Sequence, residues 1–200
     1  MCYINMENIN EQTDNALVAA FQKGSDEAFE ELVYRYKNPL FQYICGMVKD
    51  EAVAEDLFQD VFISFFKQRE RFEVNGSFKA WLFLTARNRV FNFYRDHKQV
   101  VSLDQTDEEG NAFMQETLAD NSRPLLDELG WQDFQENVRQ AIEQLSPRQR
   151  DLIYLRQFLS FQEIADTLGK PLGTILADCH RAIKKLQVIL AAKTAEEKRV

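Results

Sequence analysis

Ser160-Phe161-Gln162-Glu163-Ile164-Ala165-Asp166-Thr167-Leu168-Gly169 reads as a short helix carrying its own start and stop signals. Ser160 with Glu163 three residues later is the reciprocal cap that satisfies the first unpaired N–H groups of a helix. Gly169 suits the left-handed residue that ends one. Pro171-Leu172-Gly173-Thr174 and a second amphipathic run to Leu186 follow. Two helices joined by so short a turn, with glycine at the joint, have the spacing of a helix-turn-helix. Ile164, Ala165 and Leu168 are expected to pack against Ile175, Cys179, Ala182, Ile183 and Leu186. Thr174, Ala177, Asp178, Arg181 and Lys185 then share the other side of the second helix.

Upstream, Ser146-Pro147-Arg148-Gln149 is another capping box, with proline at the first helical position. Before it, Trp131, Phe134, Val138, Ala141, Ile142 and Leu145 recur at helical spacing. Residues 131–190 therefore read as a tri-helical unit, with 191–200 as a tail. Residues 99–130 lose periodicity, contain Gly110 and Pro124, and gather Asp104, Asp107, Glu108, Glu109, Glu116 and Asp120, so they read as an acidic linker.

Residues 13–98 read as a helical bundle. Asp14 is expected to cap a first helix with Leu17, Val18 and Phe21 inward. Gly24-Ser25 ends it and caps a second with Phe29, Leu32, Val33 and Tyr36 inward. Pro39 predicts a break or kink. A third helix over about 51–69 places Leu57, Phe58, Val61 and Phe65 on one side and Glu55, Asp56, Gln59 and Asp60 on the other.

In 200 residues, 45% are hydrophobic, glycine and proline number only 7 and 4, and no alternating β-branched run occurs. The fold class is all-α: an N-terminal helical bundle and a C-terminal tri-helical helix-turn-helix domain joined by the acidic linker. No apolar stretch approaches the ~18 residues of a membrane span, and Met1-Cys2-Tyr3-Ile4-Asn5-Met6 lacks the pattern of a secretory signal. A cytoplasmic chain with no membrane insertion is expected. Cys2, Cys45 and Cys179 have no paired or metal-ligand spacing, so free thiols, no metal and no cofactor are expected. His97 and His180 sit in basic surroundings near helix ends, and neither a Glu-x-x-His pair nor a glycine-rich phosphate loop occurs. An enzyme is not expected.

The net charge of -8 argues against a chain that grips nucleic acid unaided, since that mode needs a basic surface. The charges are nevertheless segregated: Lys79, Arg87, Arg89, Arg95 and Lys98 mark one basic patch, Arg181, Lys184 and Lys185 another. Between Phe78 and Arg95, Trp81, Thr85, Asn88, Asn92 and Arg95 fall on one side at about 100° per residue, with Arg89 at the edge, whereas Phe83, Ala86, Val90, Phe93 and Tyr94 point the opposite way. An aromatic, amides and cations together suit single-stranded DNA, whose unstacked bases can lie on a ring or be read by amides. A solvated polar stripe with Trp81 plugging a bundle end is the plainer alternative. Glu73-Val74-Asn75-Gly76-Ser77 just ahead is a loop of turn formers able to close over a flipped base. On the second helix of the carboxy-terminal pair, Thr174, Ala177 and Asp178 suit base edges in a major groove; Arg181, Lys184 and Lys185 suit phosphates.

Taken together these segments resemble the sigma-70 family of bacterial transcription initiation factors, in its extracytoplasmic-function (ECF) group. The resemblance is carried by Gly24-Ser25-Asp26-Glu27-Ala28-Phe29-Glu30-Glu31-Leu32, by Ala54-Glu55-Asp56-Leu57-Phe58-Gln59-Asp60-Val61-Phe62, by Phe78-Lys79-Ala80-Trp81-Leu82 with Ala86-Arg87-Asn88, and by Leu145 to Arg150 with Glu163-Ile164-Ala165 and Gly173-Thr174. It implies that Glu55, Asp56, Gln59 and Asp60 meet core RNA polymerase, and that Asn88 lines the pocket for a flipped minus-10 base. Loop 73–78, with Asn75 and Ser77, sets base preference, while Trp81, Arg87, Arg89, Asn92 and Arg95 hold the separated strands of promoter DNA. The last helix reads the minus-35 element. An anti-sigma factor is a further implied partner. The acidic charge then ceases to be a contradiction, because the polymerase supplies most of the cationic track.

One departure stands out. After Gly173-Thr174 the family usually places a lysine and, two residues later, an arginine, whereas this chain has Leu176-Ala177-Asp178-Cys179. Two cations are missing and an acid is added, which either weakens phosphate contact or, because Asp178 suits a cytosine amino group, alters the minus-35 sequence that is read. Two other functions remain open to the sequence: a stand-alone helix-turn-helix regulator, which would footprint DNA by itself, and a helical protein-binding adaptor.

Overall fold

The structure is a computed structural model that describes residues 9, 11–73, 77–97 and 128–197. Among these are eight helices and one 3-10 turn: α1 (Asp14–Gln22), α2 (Asp26–Val48), α3 (Glu51–Gln68), the turn Arg69–Arg71, α4 (Phe78–Asp96), α5 (Glu128–Glu143), α6 (Pro147–Phe158), α7 (Phe161–Leu168) and α8 (Leu172–Glu197). The all-helical expectation holds. No helix among the described residues is long and apolar enough to cross a membrane. Asn75, Lys98, Cys2, the side chain of Trp131 and most of the acidic linker lie outside the described residues.

Compact packing sorts the chain into two units, Met1–Val100 with Tyr154–Pro171, and Val101–Ile153 with Leu172–Val200. In the first, α1 to α4 close on an aromatic core. Phe21, Phe65, Phe78 and Phe83 are fully buried. Phe21 meets Phe29 at 4.9 Å and Phe65 meets Phe78 at 4.8 Å between ring centroids. Burying one such ring stabilises the fold by roughly 1.5–3 kcal/mol, so this cluster dominates the packing of the unit. Phe158 stacks on Phe83 at 5.1 Å. Gly46, inside α2, is required there: a Cβ would come within 2.5 Å of the Tyr154 ring.

Two local expectations need correction. Thr13 caps α1, its hydroxyl accepting from the Ala16 N–H at 3.3 Å; Asp14 is the first helical residue and is taken by Arg35 at 3.1 Å and by the Tyr36 hydroxyl. Pro39 does not break α2, which runs unbroken from Asp26 to Val48, because Leu32, Leu40, Tyr43, Ile44 and Met47 on both sides of it are buried and outweigh one missing hydrogen bond. Elsewhere, α5 begins at Glu128 and α8 runs to Glu197.

In the second unit α5 and α8 pack together. Arg150 is almost fully buried, donating to the carbonyls of Glu143 at 2.7 Å, Ile142 at 3.4 Å and Leu145 at 3.5 Å. These are orphan carbonyls at the end of α5 and the turn beyond it, and the guanidinium satisfies them as an internal cap.

Candidate nucleic-acid interface

Ser77 starts α4 by accepting from the Ala80 N–H at 3.2 Å, so its hydroxyl is a cap. From there Phe78, Leu82, Phe83, Ala86, Val90 and Tyr94 are buried along one face, and the Tyr94 hydroxyl donates to the Met47 carbonyl on α2. That face fixes the rotation of the helix. Asn88, Asn92 and Arg95 are consequently exposed, Thr85 and Arg87 half-buried. Phe93 is also only half-buried, its ring 4.2 Å from that of His97.

Trp81 does not stand free as a platform. It is half-buried, 5.1 Å from Phe72, 5.7 Å from Phe65 and 6.2 Å from Phe78, because the hydrophobic gain of one ring edge draws it onto the cluster while its remainder stays wet. The cations are engaged locally too. Arg87 lies over the Phe91 ring at 4.5 Å, a cation–π contact. Arg95 meets the neighbouring Asp96 at 3.4 Å. Arg89 reaches α3, 3.5 Å from Asp60, and donates to Ser64 at 2.7 Å.

On α3, the Asp50 side chain caps the first turn, accepting from the Val53 N–H at 3.1 Å. Ala54, Val61, Phe62 and Phe65 are buried, leaving Glu55, Asp56, Gln59 and Asp60 together on the exposed face. The arrangement presents a compact acidic surface suited to a basic partner.

Both expected capping boxes are present. In α6, the Ser146 N–H donates to Gln149 at 3.2 Å and the Gln149 N–H returns to Ser146 at 3.4 Å. In α7, the Ser160 N–H donates to Glu163 at 2.7 Å and the Glu163 N–H to Ser160 at 3.2 Å. Burial would raise the Glu163 carboxyl, but the hydrogen bonds from Ser160 and the charge of Lys79 hold it below its ordinary value. Gly169 takes φ +62 at the joint, as a left-handed helix end requires. Ile175, Cys179 and Ala182 of α8 are buried; Thr174, Arg181, Lys184 and Lys185 are exposed, Ala177 and Asp178 half-buried. Asp178 is ion-paired with Arg181 on the same helix.

Gln22 was not among the residues that spacing singled out. At the end of α1, its carboxamide donates to the carbonyls of Arg69 at 2.8 Å and Phe72 at 2.7 Å. The partners are remote in the chain, so no local signal announces them. Ser64, which holds Arg89, escaped notice for the same reason.

The chain matches the models of Sigma-70 region 2 over residues 32–100 and of Sigma-70 region 4 over residues 135–186. It is 32% identical over 168 residues to the ECF RNA polymerase sigma factor SigX of Bacillus subtilis, covering 81% of this chain and 83% of that one. To SigW of the same organism it is 29% identical over 170 residues, covering 83% and 90%. Among solved structures it is similar to the sigma factor RpoE of Bartonella quintana, crystallised with the anti-sigma factor NepR, with a TM-score of 0.59, 25% identity, and 82% and 96% of the two chains covered. Both regions match in order, and two curated ECF factors align along most of their own length: the chain belongs to the ECF group of the sigma-70 family of RNA polymerase sigma factors.

Proposed function

We propose that this sigma factor divides promoter-specific initiation between residues 13–98, which bind core polymerase and read and melt the minus-10 element, and residues 131–190, which read the minus-35 element. Residues 99–130 are the acidic linker between them and 191–200 the tail. Glu55, Asp56, Gln59 and Asp60 meet the polymerase. Asn88 lines the pocket for the extruded minus-10 base, with Asn75 and Ser77 on the preceding loop. Trp81, Arg87, Arg89, Asn92 and Arg95 hold the opened strands. Thr174, Ala177 and Asp178 face base edges near minus 35, with Arg181, Lys184 and Lys185 at phosphates.

The observation that carries this reading is the rotation of α4, which sinks Phe83, Ala86, Val90 and Tyr94 and leaves Asn88, Asn92 and Arg95 exposed. An extruded base read by amides needs such a face. The function is regulatory, the polymerase supplying the chemistry, and the cytoplasm is where it is exercised. An anti-sigma factor, of the kind found with RpoE, holds the chain inactive.

The test is run-off transcription with core polymerase on a promoter selected by the factor, paired with titration of the same duplex with and without core. Asn88→Ala should abolish most minus-10 base preference, and the isolated factor should bind the duplex weakly. Tight, specific binding without core would favour the stand-alone regulator and sink the proposal.

A further inference from the structure

We infer that Gln22, on the first helix, is a positioning residue for minus-10 reading, its carboxamide fixing the main chain at Arg69 and Phe72 so that Phe72 seats Trp81 at the start of α4. The inference rests on the proposal that this end of α4 reads and opens the minus-10 element.

α3 ends at Gln68, and the chain makes one 3-10 turn over Arg69–Arg71 before Phe72 turns extended. The last carbonyls of a helix have no partner within it, so those where α3 gives way to the turn and to Phe72 need donors from elsewhere. A primary carboxamide has two N–H donors in a fixed plane. Gln22 directs that NH2 group at both Arg69 and Phe72, at 2.8 and 2.7 Å. The chain is thereby pinned on either side of the turn.

Phe72 is the point that matters. Its ring lies 5.1 Å from Trp81, 5.4 Å from Phe65 and 6.0 Å from Phe78. Shifting its backbone would shift the surface on which Trp81 rests, and with it the first turn of α4. Ser77 fixes the other side of that entry by capping α4. Gln22 itself precedes residues 32–100, the stretch matched by region 2, so nothing in that match assigns it a part in promoter reading.

The full-length factor with core polymerase is assayed for initiation on promoters substituted singly at each minus-10 and minus-35 position. Gln22→Leu keeps the length and removes both donors. Its ratio of best to worst minus-10 base should fall about five- to tenfold, as expected when two hydrogen bonds that hold a reading surface are lost, while minus-35 preferences stay unchanged. Phe72→Leu, which removes the ring that Gln22 seats, should give the same loss confined to minus 10. Should Gln22→Leu fail to fold, Gln22→Glu, which keeps the length and replaces the donating NH2 group with an oxygen, takes its place with the same expected loss. Unchanged minus-10 ratios in the folded variants, or a uniform loss at both elements, would overturn the inference. Asn88→Ala separates the two levels: if it too leaves minus-10 preference intact, the underlying assignment of α4 is wrong; if it alters preference while Gln22→Leu and Phe72→Leu do not, only the role of Gln22 falls.

Discussion

Arg89 on α4 lies 3.5 Å from Asp60 on α3 and donates to Ser64 at 2.7 Å, so a cation assigned to DNA is held by a carboxylate assigned to the polymerase. Both side chains are about half exposed, 41% and 53%, and an exposed pair of this kind contributes less than about 1 kcal/mol. It can be exchanged cheaply for other partners when the factor meets polymerase and promoter. Asp60→Asn should therefore leave thermal stability nearly unchanged and slow association with core polymerase, most strongly at low ionic strength. Association rates measured across a salt series decide this; equal rates for variant and wild type would exclude Asp60 from the docking face.

Asp178 occupies Arg181 within α8, drawing one of the three cations assigned to minus-35 phosphates back onto its own helix. Asp178→Ala should raise holoenzyme affinity for the minus-35 element and steepen its salt dependence by about one unit of slope as a phosphate contact is regained. Promoter titrations at several salt concentrations read both quantities. A drop in affinity confined to promoters with one particular base would show that the base contact of Asp178 outweighs the phosphate contact it withholds from Arg181.

Pro39, in the middle of α2, has no backbone N–H to give to the hydrogen bond that a helix makes four residues back. Pro39→Ala should restore that bond and stabilise the protein by about 1–3 kcal/mol, raising Tm. A lower Tm would mean that the proline ring's packing contributes more than the missing bond costs.

The Glu163 carboxylate closes the capping box of α7 while held below its ordinary value of 4.5. A carboxyl whose folded-state pKa is depressed stabilises the fold above its unfolded value, and that contribution is lost as pH falls through the folded one. The advantage of wild type over Glu163→Gln in urea unfolding should thus be full near neutral pH and shrink on acidification below 4.5. Ser160→Ala, which removes the other half of the box, should cost roughly 1 kcal/mol at neutral pH. A pH-independent difference between wild type and Glu163→Gln would show that the carboxylate is not the closing group.

Local chemistry made much of this readable in advance. Both capping boxes, the left-handed Gly169 and the acidic face of α3 follow from residues within five positions of one another, where helical geometry alone fixes who meets whom. Where neighbours compete, the same signals mislead. Thr13 and Asp14 are both good caps, and only the position of Arg35 and Tyr36, on the next helix, sends Asp14 elsewhere. Pro39 is a breaker by its own nature, overridden by the apolar side chains around it.

The amino-acid order by itself determined the helical class, the family, and the face of α4 that points away from the core, because each depends on spacing along one helix or on motifs in sequence. Tertiary structure alone decided that Trp81 is drawn onto Phe65, Phe72 and Phe78, that Arg89 is tethered to α3, and that Gln22 secures the approach to α4. Those contacts join residues far apart in the chain, and their formation depends on how the bundle closes around its aromatic core, which no local pattern encodes.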